Sequence, residues 1–111
     1  MLRTFEDEMV EARTAQAAGE IGRARTCARH AVGMVMQTTL GLGFGADFYA
    51  STFIDGLRRL AADSHFPDNV RHAAARLVDR SNKERQSAST NPVQDAEIIL
   101  GFLAQLSLQN K

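Results

Sequence analysis

The stretch IGRARTCARHAVGMVMQTTL, residues Ile21 to Leu40, decides the fold class. It holds no proline, and its internal glycines are Gly22 and Gly33. Ile21, Ala24, Ala28, Ala31 and Val35 step by three and four, the repeat of one helix face. Between Ala31 and Met36 the apolar character runs nearly all the way round, as on a helix with neighbours on several sides. The first half carries Arg23, Arg25, Arg29 and His30, with no carboxylate after Glu20. One end therefore reads as a basic surface and the other as core.

Toward the N-terminus, Thr4 reads as a helix cap, with Asp7 three residues on as its capping-box partner. Glu6, Asp7 and Glu8 crowd the first turn, where the helix dipole favours negative charge. Phe5, Met9, Ala12 and Gln16, flanked by Val10 and Ala17, give a modest apolar stripe that Gly19 ends. The link around Gly19 and Glu20 is short enough to make an antiparallel hairpin. Position 11 then lies roughly opposite position 27, with Glu11 in reach of Arg25 or Arg29.

Downstream, GLGFGAD (residues 41–47) is a helix-to-helix loop, with Phe44 expected in the core. It is not a phosphate loop: no strand precedes it, and no Lys-Ser or Lys-Thr follows. A third helix is expected from Asp47, with Tyr49, Phe53, Leu57 and Leu60 on one face and Gly56 allowing a close crossing. Ser64-His65-Phe66-Pro67 breaks it, and Pro67 suits the first turn of a fourth helix through Val70, Ala73, Ala74, Leu77 and Val78. The opposite face of that helix carries Arg71, His72, Arg76 and Arg80. Arg76 and Arg80, four apart, repel one another, so they face an acid elsewhere or an anion. Residues 81–91, SNKERQSASTN, read as an exposed polar loop. Asn91-Pro92-Val93-Gln94 then opens a last helix, to about Ser107, whose core stripe is Val93, Ala96, Ile99, Leu100, Leu103 and Leu106. Ile98 and Phe102 widen that stripe, toward either a second subunit or a central position in the bundle. No run of β-branched residues bounded by turns occurs. The expectation is one all-α domain over residues 1–111, an up-and-down antiparallel helical bundle of four to five helices.

At 111 residues the chain suits one core, burying roughly 65% of its unfolded surface. Thirteen cations balance thirteen anions, which argues against wholesale nucleic-acid or membrane-surface binding and leaves room for a local patch. Eleven of the cations are Arg, suited to bidentate contacts with carboxylates or phosphates, inside the bundle or outside it. Cys27 is the sole cysteine, so no intrachain disulfide forms and a cytoplasmic setting is expected. It reads as a small buried hydrophobe: His30 is helically adjacent, but no oxyanion-type loop is near. MLRTFEDEMVEA lacks the apolar run of a signal peptide, and no segment has 18 apolar residues, so no membrane span is expected. His30, His65 and His72 are scattered, and no metal motif is expected.

Three stretches together resemble the HEPN domain family of small helical bundles. They are the alanine-rich second helix RARTCARHAVGMVMQ, the segment FIDGLRRLAADSHFPDNVRHAAARLVDR with its polar turn and proline, and STNPVQDAEIILGFLAQL after a polar loop. The resemblance implies a homodimer that binds a nucleotide or RNA, or accompanies a small nucleotidyltransferase as protein partner. Many members are ribonucleases in which an Arg, four to six residues and a His meet across the dimer. The Arg holds the phosphate and the His moves a proton as the 2′-oxygen attacks.

That spacing occurs here as Arg25–His30 and Arg59–His65. The first pair points in different directions round its helix, since five residues turn through roughly 500°. The second straddles a helix end and lacks the polar residue, commonly Asn, that follows the family's Arg. The leading expectation is therefore a non-catalytic, HEPN-like binding module for a protein partner or a nucleotide or phosphate-type ligand, with no cofactor. Arg25, Arg29, Arg76 and Arg80 are its candidate anion residues. The alternatives are a metal-independent ribonuclease using Arg59 and His65, and a purely structural bundle.

Overall fold

The computed structural model describes residues 3–43, 45, 47–78 and 91–109. Among them are five α-helices: α1 (Phe5–Ala17), α2 (Ile21–Met36), α3 (Phe53–Ala62), α4 (Asp68–Val78) and α5 (Pro92–Gln109). There is no strand among the described residues, only an isolated bridge between Leu42 and Ala50. The protein is an all-α bundle.

Local chemistry sets most helix ends. The Thr4 side chain accepts from the Asp7 amide at 3.2 Å, and Asp7 accepts from the Thr4 amide at 2.9 Å. This is the expected capping box, with Asp in place of Glu. At the other end of α1, Gly19 turns to φ +82°. Its amide donates to the Gln16 carbonyl at 3.0 Å, and the Glu20 amide to Ala15 at 2.8 Å. Two such bonds close a Schellman motif and reverse the chain into α2. Asn91 caps α5 through the Gln94 amide at 3.1 Å, with Pro92 in the first turn. Gln16 of α1 fastens this cap, donating to Asn91 at 2.9 Å and accepting from the Val93 amide at 3.2 Å.

Helix α2 is central, packing on α1, α3, α4 and α5. Ala24, Ala28, Ala31, Val32 and Met36 are fully buried. One core joins Met9 of α1 to Leu57 and Leu60 of α3, Val70 and Leu77 of α4, and Ile99 and Leu103 of α5. Small side chains at Ala28, Ala31, Ala73, Ala74 and Ala96 line this core and let the helices close on one another. Gly33 is the tightest approach: a Cβ there would lie 2.2 Å from Cγ of Phe53. Gly56 is also close: a Cβ there would lie 3.2 Å from Met36 Cε. Ile98 and Phe102 pack against the core, and Phe102 meets Phe66 edge to face at 5.4 Å. A place inside the bundle accounts for both.

Two expectations need correction. Helix α2 stops as an α-helix at Met36 and continues as a π-helical turn, Gln37–Gly41, rather than running regularly to Leu40. Helix α3 starts at Phe53, not Asp47. The Tyr49 amide donates to the Gly41 carbonyl, and the Gly43 amide to Ala50, each at 2.9 Å. These bonds hold residues 47–51 against the end of α2, and Thr52 caps α3 through the Asp55 amide at 3.1 Å. Gly41, Gly43 and Gly45 all have positive φ, and the Phe48 ring covers them. Phe44, Arg80 and the polar segment 81–90 lie outside the described residues.

Candidate functional site

Of the four arginines expected to bind an anion, the three among the described residues, Arg25, Arg29 and Arg76, are engaged within the protein. Arg76 forks onto Asp95 of α5, with Nη2 donating to Oδ1 at 2.7 Å and Nε at 3.1 Å. Asp95 is buried, and its charge holds the Arg76 guanidinium more firmly protonated than usual. The acid anticipated for Arg76 is therefore Asp95, 19 residues further along the chain. Arg29 donates through Nε to the Leu77 carbonyl of α4. Arg25, half-buried on α2, also has a partner. Arg80 falls outside the described residues.

The pair Arg59 and His65 comes together at the corner between α3 and α4. Asp63, the C-terminal cap of α3, organises it. Its Oδ1 accepts the His65 amide at 3.0 Å and lies 2.8 Å from His65 Nδ1. Its Oδ2 accepts the Tyr49 hydroxyl at 2.9 Å. The His65 amide is the main cause that pulls the Asp63 carboxyl down to about 2, followed by the His65 ring and the Tyr49 hydroxyl. Burial, with the Asp63 bond second, pushes the Tyr49 phenol above its ordinary range. An ionised Asp63 accepts only, so His65 carries its proton on Nδ1 there. Nε2 is left on a side chain that is 91% exposed.

Arg59 lies over the Tyr49 ring, 4.4 Å from its centroid, and donates through Nη1 to the Tyr49 carbonyl. Among the described residues no carboxylate lies within ion-pair distance of Arg59. Arg59, Ala62, Asp63, Ser64 and His65 line one shallow depression of about 300 Å³. A guanidinium and a solvent-facing imidazole on one depression can hold a phosphate and move a proton. Tyr49 and Asp63 are not legible as site residues in the sequence: Tyr49 falls on the face expected for the core, and Asp63 carries no assignment there. The one available signal is the Asp-x-His spacing, which suits an Asp side chain bonding the amide two residues on.

A second polar cluster lies inside the α1–α2 hairpin, where no metal motif is legible in sequence. Position 11 does lie opposite position 27: Cys27 Sγ donates to Glu11 Oε2 at 3.1 Å. Ligand atoms of Glu8, Glu11 and Cys27 lie within 4.8 Å of one another. His30 Nδ1 is 3.2 Å from Glu8 Oε2. The cations on Glu11 are Arg23 at 3.3 Å and Arg3 at 3.4 Å, in place of the expected Arg25 or Arg29. Burial, then the Glu11 contact, pushes the Cys27 thiol up to about 11. The Cys27 bond, ahead of the two arginines, lowers the Glu11 carboxyl. A thiol so strongly protonated is a poor nucleophile.

Compared with family models, with curated proteins and with solved structures, the chain matches none of them. No helix among the described residues is long and apolar enough to cross a membrane.

Proposed function

We propose that the chain is a non-catalytic, HEPN-like binding module that takes a nucleotide or similar phosphate-bearing ligand at the α3–α4 corner. One observation carries this reading: Arg59 and His65 share a depression, and Asp63, the carboxylate that also lines it, is bonded to His65 and Tyr49 and not to Arg59. Arg76, by contrast, has a buried carboxylate in its fork, and an added phosphate would have to displace it. Recognition at the corner thus moves away from Arg25, Arg29 and Arg76. A homodimer and a nucleotidyltransferase-type partner belong to the same HEPN-like proposal.

Thermal melting with inorganic phosphate and ATP tests it. Ligand at a hundred times its dissociation constant adds about 2.7 kcal/mol to stability. The wild type should gain and Arg59→Ala should not. A melting temperature that stays flat through millimolar nucleotide refutes the proposal.

The Asp63–His65 contact favours one alternative, a metal-independent ribonuclease. With Nδ1 held by Asp63, Nε2 would take the 2′-hydroxyl proton while Arg59 steadies the phosphate. RNA cleavage in excess EDTA, lost in His65→Ala and reduced in Asp63→Asn, would support it. Equal cleavage by wild type and His65→Ala would remove it.

A further inference from the structure

We propose that the α1–α2 hairpin binds one zinc-type divalent ion between Glu8, Glu11, Cys27 and His30. Glu8 and Glu11 are spaced i, i+3 on α1, and Cys27 and His30 are spaced i, i+3 on α2. Each pair occupies one helix face, and the hairpin turns those faces together. The Cys27–Glu11 and His30–Glu8 contacts, at 3.1 and 3.2 Å, cross the seam between the helices.

Each donor is of a type that zinc accepts: one cysteine sulfur, one imidazole and two carboxylates. The spacing suits it as well. Bonds of about 2.0–2.3 Å in a tetrahedron place neighbouring donor atoms roughly 3.3–3.8 Å apart. The Cys27–Glu11 and His30–Glu8 contacts need to open by only a few tenths of an ångström to admit an ion; Glu8, Glu11 and Cys27 already bring their ligand atoms within 4.8 Å of one another, and His30, outside that group, has to turn in to complete the site. Glu8 and Cys27 are both buried, so their side chains are already ordered and small adjustments suffice.

Two carboxylates this close need cations: Arg23 lies 3.3 Å from the other oxygen of Glu11, Oε1, and Arg3 bridges the two acids. Its Nη2 lies 2.9 Å from Glu8 Oε1 and 3.4 Å from Glu11 Oε2. Arg3 precedes α1, and its side chain is 51% exposed. It can withdraw without disturbing a helix, so a divalent ion would replace both the guanidinium and the thiol proton, which passes to solvent. Nothing in this site overlaps the α3–α4 corner.

Cobalt(II) titration of the EDTA-treated, desalted protein tests the proposal. Cys27 is the sole cysteine, so a thiolate-to-cobalt absorption band reports on that residue alone. The expected result is a band that saturates at one equivalent and is bleached by one equivalent of zinc. Cys27→Ser should abolish the band, His30→Ala should weaken binding at least tenfold, and Arg3→Ala should strengthen it. His65→Ala, at the other site, should leave the band intact. Wild-type protein that takes up cobalt without a thiolate band overturns the proposal, whatever the variants do. So does zinc binding that disappears in His65→Ala and survives in Cys27→Ser.

Discussion

Replacing Gly33 by Ala should destabilise the protein, although the same change at Gly101 should stabilise it. Ala is favoured over Gly in a helix interior by about 1 kcal/mol. At Gly33 the new Cβ would lie 2.2 Å from Cγ of Phe53, 2.4 Å from Cδ2 and 2.7 Å from Cδ1. The atom struck first is the ring carbon nearest the backbone, so the ring cannot clear the clash by swinging its far edge. Phe53 is also the first residue of α3, so yielding there displaces the helix start. Overpacking of this kind costs about 1–3 kcal/mol. Taking the upper figure and subtracting the propensity gain leaves a net loss of about 2 kcal/mol. For a chain of this size that lowers the melting temperature by about 8 °C.

Gly101 supplies the opposite case. It lies within α5, and a Cβ there meets nothing within 4 Å. Gly101→Ala should raise stability by about 0.5–1 kcal/mol. Denaturant melts of both variants, with Phe53→Ala and the Gly33→Ala/Phe53→Ala double variant, complete a cycle. Removing the ring should make Gly33→Ala neutral or stabilising. If Gly33→Ala matches Gly101→Ala in sign, or costs the same without the Phe53 ring, the steric argument is wrong.

Arg76→Ala should cost about 3 kcal/mol, because buried Asp95 loses its bidentate partner. The Arg76→Ala/Asp95→Ala double variant should recover part of that loss in urea melts. Asp63 should give an acid-sensitive contribution. Its folded value of about 2 lies below the ordinary 3.8, so its stabilisation is complete above about pH 4 and disappears as pH falls toward 2. Denaturation midpoints across that range should fall more steeply for wild type than for Asp63→Asn. Metal-free Cys27 should resist alkylation by iodoacetamide at pH 8 until denaturant is added, since its thiol is buried and raised to about 11. Rapid modification of the folded protein would contradict that placement.

The features legible in sequence are those fixed by residues a few positions apart. Thr4 with Asp7, Gly19 before Glu20, and Asn91-Pro92 with Gln94 each complete a helix end from their own neighbours. The apolar steps of α2, α4 and α5 likewise reappear as buried stripes. Asp47 is the start expected for α3, whereas Thr52 caps the helix in the structure. The choice between them fell to the hydrogen bonds that the Tyr49 amide donates to Gly41 and the Gly43 amide donates to Ala50, which no periodicity within the helix encodes. The same limit governs the polar sites. Arg76 needed an acid, but only the packing of α4 on α5 identifies it as Asp95. Tyr49 has the period of a core aromatic, and its hydroxyl acquires a role only once α3 has ended at Asp63. Cys27 and Glu11 were readable as opposite one another because a two-helix hairpin has one simple register.

This division bears on how a ligand could be recognised. Arg3, Arg13, Arg23, Arg58, Arg71 and Arg76 all pair with carboxylates, and Arg29 is bonded to a carbonyl. A chain with thirteen charges of each sign that are interleaved in this way presents little long-range field to a polyanion. Attraction is then short-range, and it is strongest where a guanidinium has no carboxylate within ion-pair distance. Arg59 meets that condition, and the Tyr49 ring and carbonyl fix its direction without cancelling its charge. Binding at the corner should therefore depend weakly on salt, because each phosphate neutralised adds only about one unit to the logarithmic salt slope. A slope near one fits a single phosphate held by Arg59 and His65. A slope of several units would require a run of phosphates along the surface, and the internal pairing of these arginines leaves no such track among the described residues.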